Sequence, residues 1–494
     1  MQKKIFPKNQ PEDINITKYK NFSSDSKLIE NGVVKLNLRK ALKIAASYSR
    51  EYQTTKESLF ETALSLKNAQ HSWDWNPGNN LSSILNINQD PSSTIGTADG
   101  DLSISKRFLS GARLTAAIGM DTLRYFSGDH TVNISSLANL TITQPLLAGY
   151  GTEINRNALT SAEQNLIYAL RSYVRSRESL LIDIANKYYA ILNAEDALEV
   201  GKLNLASVTS SMERSKAIAE AGRVDPFQVD QARQSVLSAE SSMVSLKENL
   251  QSTKDELKTT LGLPLELEIE VDPKDLLVLR QQKLPEPPMS FEEAVKIALN
   301  NRLDYANICD RLEDAARAVR IAGDAMRAKL NLTAKASAGS ITASRLKHIE
   351  LSNADFSIGL DADLPFDRTS ESIALREAQI YFEQHKRVII EQHDSIIASL
   401  RSVWRQLISY RQNYKIQQIS VRLAEKRVES TKLLFEGGRI NIRELLEAQD
   451  DLSSARNSLT QALVNHRLGW LRLLYQLEQL PVEAKTLWSN TLDV

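Results

Sequence analysis

Two short stretches of this chain read as the same helical turn. Ala221-Gly222-Arg223-Val224-Asp225 and Gly437-Gly438-Arg439-Ile440-Asn441 share the order Gly, Arg, β-branched residue, Asp or Asn. Gly222 and Gly438 lie 216 positions apart, and Ala232 and Ala448 keep the same spacing. Each turn sits between two long helical patterns that must fold back on each other. A helical hairpin tip used twice means that one architectural unit occurs twice, and the rest of the chain is constrained by that repetition.

The helices on either side are unusually long. From Glu153 to Ala221 the only Gly or Pro is Gly201. Apolar residues recur at Leu166, Leu170, Tyr173, Leu180, Ile184, Tyr188, Ile191, Leu198, Leu205, Val208 and Met212. These steps keep close to the coiled-coil repeat of about 3.5 residues. At about 1.5 Å per residue such a helix is on the order of 100 Å long. The return helix runs from Pro226 to Leu261, with proline in the first turn, where its missing N–H costs little, and Gly262-Leu263-Pro264 stops it. The second copy runs from about Ser370 to Phe435, turns, and ends near Gln479. Ahead of each pair lies a further helical pattern, from Leu38 to about Ala69, with a break near Ser47–Tyr52, and from about Glu293 to Lys329. Lys40-Ala41-Leu42-Lys43-Ile44-Ala45 is echoed by Glu293-Ala294-Val295-Lys296-Ile297-Ala298, and Glu51-Tyr52 by Asp304-Tyr305, all at a spacing of 253.

Between these helices the period changes to two. Leu102, Ile104, Lys106, Phe108, Ser110, Ala112, Leu114, Ala116, Ile118 and Met120 occupy even positions, against Asp101, Ser103, Ser105, Arg107, Leu109, Gly111, Arg113, Thr115, Ala117 and Gly119 on the odd ones. The spacing predicts strands at about 101–120 and 131–146, then 330–341 and 354–366 in the second copy. Residues 71–100, rich in Asn, Ser, Gly and Pro, read as a loop. A strand polar on one face and apolar on the other suits a transmembrane barrel, which needs about 9–11 tilted residues. It also suits half of a soluble sandwich. The repeat favours the barrel, because a sandwich gives no reason to set two isolated hairpins at equal places between very long helices. A lone hairpin cannot bury its own apolar face. Four strands are too few to close a ring, so closure needs several chains.

The expected organisation is a polar tail over 1–32, a first repeat over 33–263 with its tip near 222, a Pro- and acid-rich linker over 264–289, a second repeat over 290–480 with its tip near 438, and a tail over 481–494. Sixty-one basic residues balance 61 acidic ones, which argues against a nucleic-acid partner with its net basic footprint. Cys309 is the only cysteine, so it can form neither an intramolecular disulfide nor a cysteine-based metal site. No apolar run reaches the roughly 18 residues of a transmembrane helix. Met1-Gln2-Lys3-Lys4-Ile5-Phe6-Pro7 has a basic start without an apolar core behind it, so it is not a signal peptide as written. By itself that favours the cytosol and a soluble coiled-coil scaffold.

No catalytic constellation is present. The six histidines (His71, His130, His348, His385, His393, His466) show no metal-ligand spacing and read as loop or surface residues. No cofactor and no enzyme activity are expected. Gly149-Tyr150-Gly151 reads as a bend. Trp73 and Trp75, ahead of the first strand, suit an interfacial aromatic girdle. Trp404, Trp470 and Trp488 read as packing residues.

The two tips, the strand exits Gln144-Pro145-Leu146-Leu147-Ala148-Gly149 and Leu364-Pro365-Phe366-Asp367, and the doubled order of elements resemble the TolC-like family of outer-membrane efflux proteins over about residues 33–480. The resemblance implies a mainly α fold with transmembrane β: a homotrimer whose coiled-coil hairpins form an α-barrel in the periplasm. Four strands per chain would contribute to a 12-stranded β-barrel in outer-membrane lipid. It implies a passive export duct of a tripartite efflux or type I secretion system, working with a periplasmic adaptor and an inner-membrane pump. The tips Gly222-Arg223-Val224 and Gly438-Arg439-Ile440 would then dock the adaptor.

The resemblance also implies an acidic constriction just after the second tip, which register places at Glu444 and Glu447. Their i, i+3 spacing puts both on one helix face. Such a ring would attract cations, while an acidic first helical turn is also favoured by the helix dipole alone. The family's gate latch pairs an aromatic hydroxyl with a basic residue. Here Phe435 holds the aromatic place without a hydroxyl, and Ile440, one position past Arg439, holds the basic one. Arg439 and Arg223 also suit helix capping.

Overall fold

The computed structural model describes residues 33–86, 95–125, 132–342, 354–364 and 366–480. The expected tails over 1–32 and 481–494 with Trp488, and His130, His348 and Pro365, lie outside the described residues. In chain order the elements are β1 (Val33–Leu36), α1 (Leu38–Tyr48), α2 (Arg50–His71), β2 (Asn76–Asn86), β3 (Ile95–Arg107), β4 (Arg113–Tyr125), β5 (Val132–Pro145), α3 (Thr152–Glu220) and α4 (Pro226–Leu261). There follow β6 (Glu268–Val271), α5 (Lys274–Gln281), α6 (Phe291–Asn301), α7 (Leu303–Ala325), β7 (Lys329–Thr342), β8 (Asp355–Asp363), α8 (Thr369–Glu436) and α9 (Ile442–Gln476). Their contacts form two compact units, Met1–Glu57 with Ser172–Leu303 and His393–Val494, and Ser58–Arg171 with Asp304–Gln392. Each draws on both repeats.

The first unit is helical. Helix α3 has 69 residues and α8 has 68, which continuous apolar periodicity without internal proline allows. Ile184, Tyr188 and Ile191 of α3 are buried against Leu257 and Leu261 of α4, Ile44 of α1, and Leu463 and Val464 of α9. The break expected near Ser47–Tyr52 is real and occurs twice. Ser49 ends α1 at φ −62°, ψ 124°, and Arg302 ends α6 at φ −63°, ψ 118°. The two residues carry the same spacing of 253 as the sequence echo around them.

The segment expected as a linker is structured instead. Its β6 pairs in parallel with β1, Val33 opposite Glu268 through Leu36 opposite Val271. Alternation explains this: Val34, Leu36, Ile269 and Val271 point into the core, as do Leu276 and Leu279 of α5. His466, expected at the surface, is fully buried. On α9 it lies among the buried residues Leu463, Val464, Leu468 and Leu471. Burial and the nearby Arg411 and Arg467 guanidiniums hold its imidazole down to a pKa of about 4.

The second unit contains a six-stranded sheet of order β2-β3-β4-β5-β7-β8, with every neighbouring pair antiparallel. This corrects two expectations. The strand expected at 101–120 is a hairpin, β3 and β4, folded at Phe108–Ala112. Its two arms pair Leu102 with Ile118 and Ile104 with Ala116. Even positions therefore stay on one face in both arms, and the alternation runs through the turn without a change of phase. The stretch expected as a loop over 71–100 supplies β2 and the start of β3, paired from Asn76 opposite Ser105 to Asn86 opposite Ile95. Backbone hydrogen bonding to β3 overrides the weak strand propensity of Asn, Ser and Gly. Among the described residues this sheet thus has six strands, not four.

Helix α7 packs on the start of α3 within this unit through polar contacts. Arg171 donates to Asp310 at 2.5 Å and Asn307 at 3.1 Å, and Tyr168 donates to Asp314 at 2.6 Å. At the turn from β5 to α3, the Gly149 amide donates to Asp324 Oδ2 at 2.7 Å.

Candidate functional site: the paired tips and the apolar sheet face

Both tips end their first helix by the same hydrogen-bond pattern. Gly222 N–H donates to the Ala219 carbonyl and Arg223 N–H to that of Ile218, at 2.9 and 3.1 Å. Gly438 N–H donates to the Phe435 carbonyl and Arg439 N–H to that of Leu434, both at 2.9 Å. This is the Schellman closure, in which the residue after the helix turns left-handed. Gly222 has φ +71° and Gly438 φ +65°, so the Gly-Arg order follows from geometry: glycine takes the left-handed position and the next amide closes the helix. The Arg223 and Arg439 side chains are exposed.

The tips also bind each other. Gln228 Nε2 donates to Asn441 Oδ1 at 3.2 Å, and the Ile442 amide donates to Gln228 Oε1 at 3.5 Å. Asn441 is the N-cap residue of α9 but makes no side-chain cap bond of its own. Asp225 caps α4 through the Phe227 amide at 3.4 Å. Arg214 of α3 forms an ion pair with Glu436, beside the second tip.

Phe435 is only 2% exposed and packs with Val208, Ala232, Ile442, Leu445 and Leu446. Its side chain is the centre of the tip core, with Ile440 half-buried against the same cluster. Glu444 and Glu447 sit on the opposite, exposed face of α9. Glu447 is not alone there: Arg443 Nε donates to its Oε1 at 2.8 Å. The i, i+4 spacing of Arg443 and Glu447 is a legible signal that reading for carboxylates passes over. Gln228 carries no local signal at all, since its partners lie more than two hundred residues away in sequence.

The sheet presents one continuous apolar face. Leu102 and Ile104 of β3, Ile118 of β4, Leu140 of β5, and Phe356, Ile358 and Leu360 of β8 are all exposed, Phe356 and Ile358 by 80%. Register aligns them in rows, Ile104-Ala116-Leu140-Ala336-Phe356 among them. An apolar patch of this extent marks contact with lipid or another protein. Trp75, half-exposed just before β2, has the Lys106 ammonium 5.1 Å from its ring centroid. Trp404 packs edge-on against Phe291. Among the described residues no helix is long and apolar enough to cross a membrane, and no group of His, Cys, Asp and Glu could hold a metal ion.

Residues 111–263 match the family "Outer membrane efflux protein". Outer membrane protein TolC of Salmonella enteritidis is 20% identical over 327 residues, 65% of this chain and 65% of its own length. The alkaline protease secretion protein AprF of Pseudomonas aeruginosa is 24% identical over 354 residues, 69% of each chain. The match to TolC therefore spans just under two thirds of that relative. Among solved structures, the outer-membrane channel OprN superposes with a TM-score of 0.68 at 15% identity, covering 89% of both chains. CusC gives 0.67 at 14%, covering 90% of this chain and 92% of its own. VceC of Vibrio cholerae gives 0.66 at 17%, covering 89% and 95%. At these identities the structural likeness is one of fold. The compartment that goes with these matches is the outer membrane, with the helical part in the periplasm, against the cytosol suggested by the first seven residues. The match over 111–263, the two relatives and the shared fold together make this a TolC-like chain, similar to the outer-membrane efflux proteins.

Proposed function

We propose that the chain is the outer-membrane channel of a tripartite efflux or type I secretion system, a passive duct that works as a homotrimer with a periplasmic adaptor and an inner-membrane pump. The observation that carries this reading is the six-stranded antiparallel sheet with one exposed apolar face and one polar face. Such a sheet is stable only with lipid or protein on its apolar side and closure at its edges. The paired tips support the adaptor contact. They offer Gly222, Arg223 and Val224 beside Gly438, Arg439 and Ile440, on helix ends held by Schellman closures that leave both arginine side chains exposed. Glu444 and Glu447 face solvent on the helix that follows and form the acidic constriction of the assembled channel, where like charges favour cations.

The reading is tested by fractionation and heating. The protein is expected with outer membranes, as a trimer in mild detergent that separates into monomers only on heating. Recovery as a soluble monomer would overturn it and favour a coiled-coil scaffold.

A further inference from the structure

On β3 and β4 the polar face of the sheet keeps its charges at the two ends. Arg107 of β3 and Arg113 of β4 are direct cross-strand partners. Eight positions further along both strands, Asp99 is the partner of Asp121. Directly opposed residues share one face with Cβ atoms about 4.5–5.5 Å apart, where like charges are destabilising. The same two strands thus carry two like-charge pairs of opposite sign. Asp101, opposite Gly119, adds a carboxylate beside the acidic pair. Between the two bands these strands place only Ser103, Ser105, Thr115, Ala117 and Gly119 on that face, none of them charged. At about 3.4 Å per residue the bands lie roughly 27 Å apart along the strands.

The arginine band is not neutralised from within the chain. Among the described residues neither Arg107 nor Arg113 forms an ion pair or a side-chain hydrogen bond. Arg113 is exposed and Arg107 half-buried. Lys335 of β7 is exposed on the same face. The carboxylates at that end lie on β8. Asp363 is held by Lys329 at 3.6 Å, and Asp361 is three strands from Arg113, about 14 Å across the sheet. This end meets the helices: beside the arginine pair, the Gly151 amide ahead of α3 donates to the Ser110 carbonyl of the β3–β4 turn at 3.3 Å. At the other end Asp99 accepts from the Ser82 hydroxyl at 3.3 Å. Two guanidiniums set against each other without a carboxylate fit a site whose counter-charge comes from outside the chain.

We propose that Arg107 and Arg113 form an anion-binding band where the strands meet the helices, taking carboxylate or phosphate groups of the cargo, and that Asp99, Asp101 and Asp121 repel those groups at the far end. This rests on the duct reading above, in which the polar face lines the passage. Guanidinium suits the role because its planar fork of N–H donors matches both oxyanions. The bands are separated by more than the Debye length of about 8–10 Å at physiological salt, so each acts on what lies beside it and neither cancels the other. Anions arriving from the helical side reach the arginines first. Anions offered from the far side must pass the carboxylates to reach the same place.

Block of conductance by a small polyanion tests the band. The probe is inorganic tripolyphosphate, added on the side away from the helices to the full chain in planar bilayers. The lipid is phosphatidylcholine, which has no net charge, so the anion comes from solution and not from the membrane. Tripolyphosphate is expected to reduce the current of the parent. Arg107→Gln with Arg113→Gln should raise the concentration for half block by about tenfold, the scale of one lost hydrogen bond to a charged group. Arg107→Lys with Arg113→Lys keeps the charge without the fork and should raise it less. Asp99→Asn with Asp121→Asn should lower it severalfold. If the double glutamine variant opens no channels, Arg107→Gln and Arg113→Gln are read singly in the same way. A parent that tripolyphosphate does not block, or arginine variants with the parent's half block, would overturn the band and leave the duct reading standing. A parent chain that opens no channels would overturn the duct reading itself.

Discussion

Gln228 caps a helix that is not its own. Its carboxamide oxygen accepts the Ile442 amide while its nitrogen donates to Asn441, so the first tip supplies the cap that Asn441 does not. Gln228→Ala removes both bonds and leaves the start of α9 to solvent. A typical net hydrogen bond contributes about 1 kcal/mol. Hydrogen exchange of the Ile442–Leu445 amides is expected to quicken severalfold. Unchanged exchange there would show that the tips are not coupled through this residue.

Gly222 and Gly262 have almost the same backbone angle, φ +71° and +75°, and very different surroundings. A Cβ on Gly222 meets nothing within 4 Å, whereas one on Gly262 lies 2.1 Å from the Tyr48 carbonyl oxygen. Gly222→Ala should cost only the left-handed penalty of about 1–2 kcal/mol. Gly262→Ala must also displace the break between α1 and α2. Thermal melts followed by helical circular dichroism should separate the two variants clearly, with Gly262→Ala far lower.

Phe435 fills the tip core, so Phe435→Ala should cost about 3–5 kcal/mol of local stability. Faster proteolytic cleavage between Leu433 and Arg443 is the readout. Phe435→Leu should be cleaved much more slowly than the alanine variant.

The exposed carboxylates differ in their neighbours. Arg443 already engages Glu447, so Glu444→Gln should weaken divalent-cation block of conductance in planar bilayers more than Glu447→Gln does. Arg443→Ala should strengthen the block. If Glu444→Gln with Glu447→Gln leaves it unchanged, these residues do not form the constriction.

Glu178 is buried, with its pKa pushed up to about 8 first by burial and then by the Glu478 carboxylate, against the pull of Arg175 and Arg177. A carboxyl raised in the folded state stabilises fully below its unfolded value near 4.5, and that stability is lost as pH rises toward 8. Glu178→Gln should therefore flatten the fall in melting temperature between pH 5 and pH 8, at about 1.4 kcal/mol per pH unit for one proton. A variant as pH-sensitive as the parent would count against this assignment.

Much of this was legible in the chain itself, and the misses have physical causes. The tips were readable because Schellman closure demands glycine in a fixed place. The break at Ser49 was legible near Ser47–Tyr52, whereas its repeat at Arg302 was not, although the two keep the spacing of 253. The β3–β4 turn was hidden by its own parity, since Leu102 and Ile118 pair without shifting the alternation. β2 was hidden by composition, as Asn79, Asn80, Ser82 and Ser83 owe their extended form to β3 rather than to themselves. His466 looked like surface because a single polar residue on an apolar helix face has no periodic signature. The Gln228 cap depends on a fold that brings residues 228 and 442 together, which no local window contains.

The parallel pairing of β1 with β6 has a bearing on how the protein is made. Val33–Leu36 leads the described chain, yet its partner Glu268–Val271 comes only after the whole first helical hairpin. As the polypeptide emerges, Val34 and Leu36 stay uncovered until that hairpin has been completed and has brought β6 back beside them. Contacts so distant in sequence form late, and exposed apolar segments on an unfinished chain invite aggregation. The first repeat is therefore sealed only when its last segment arrives.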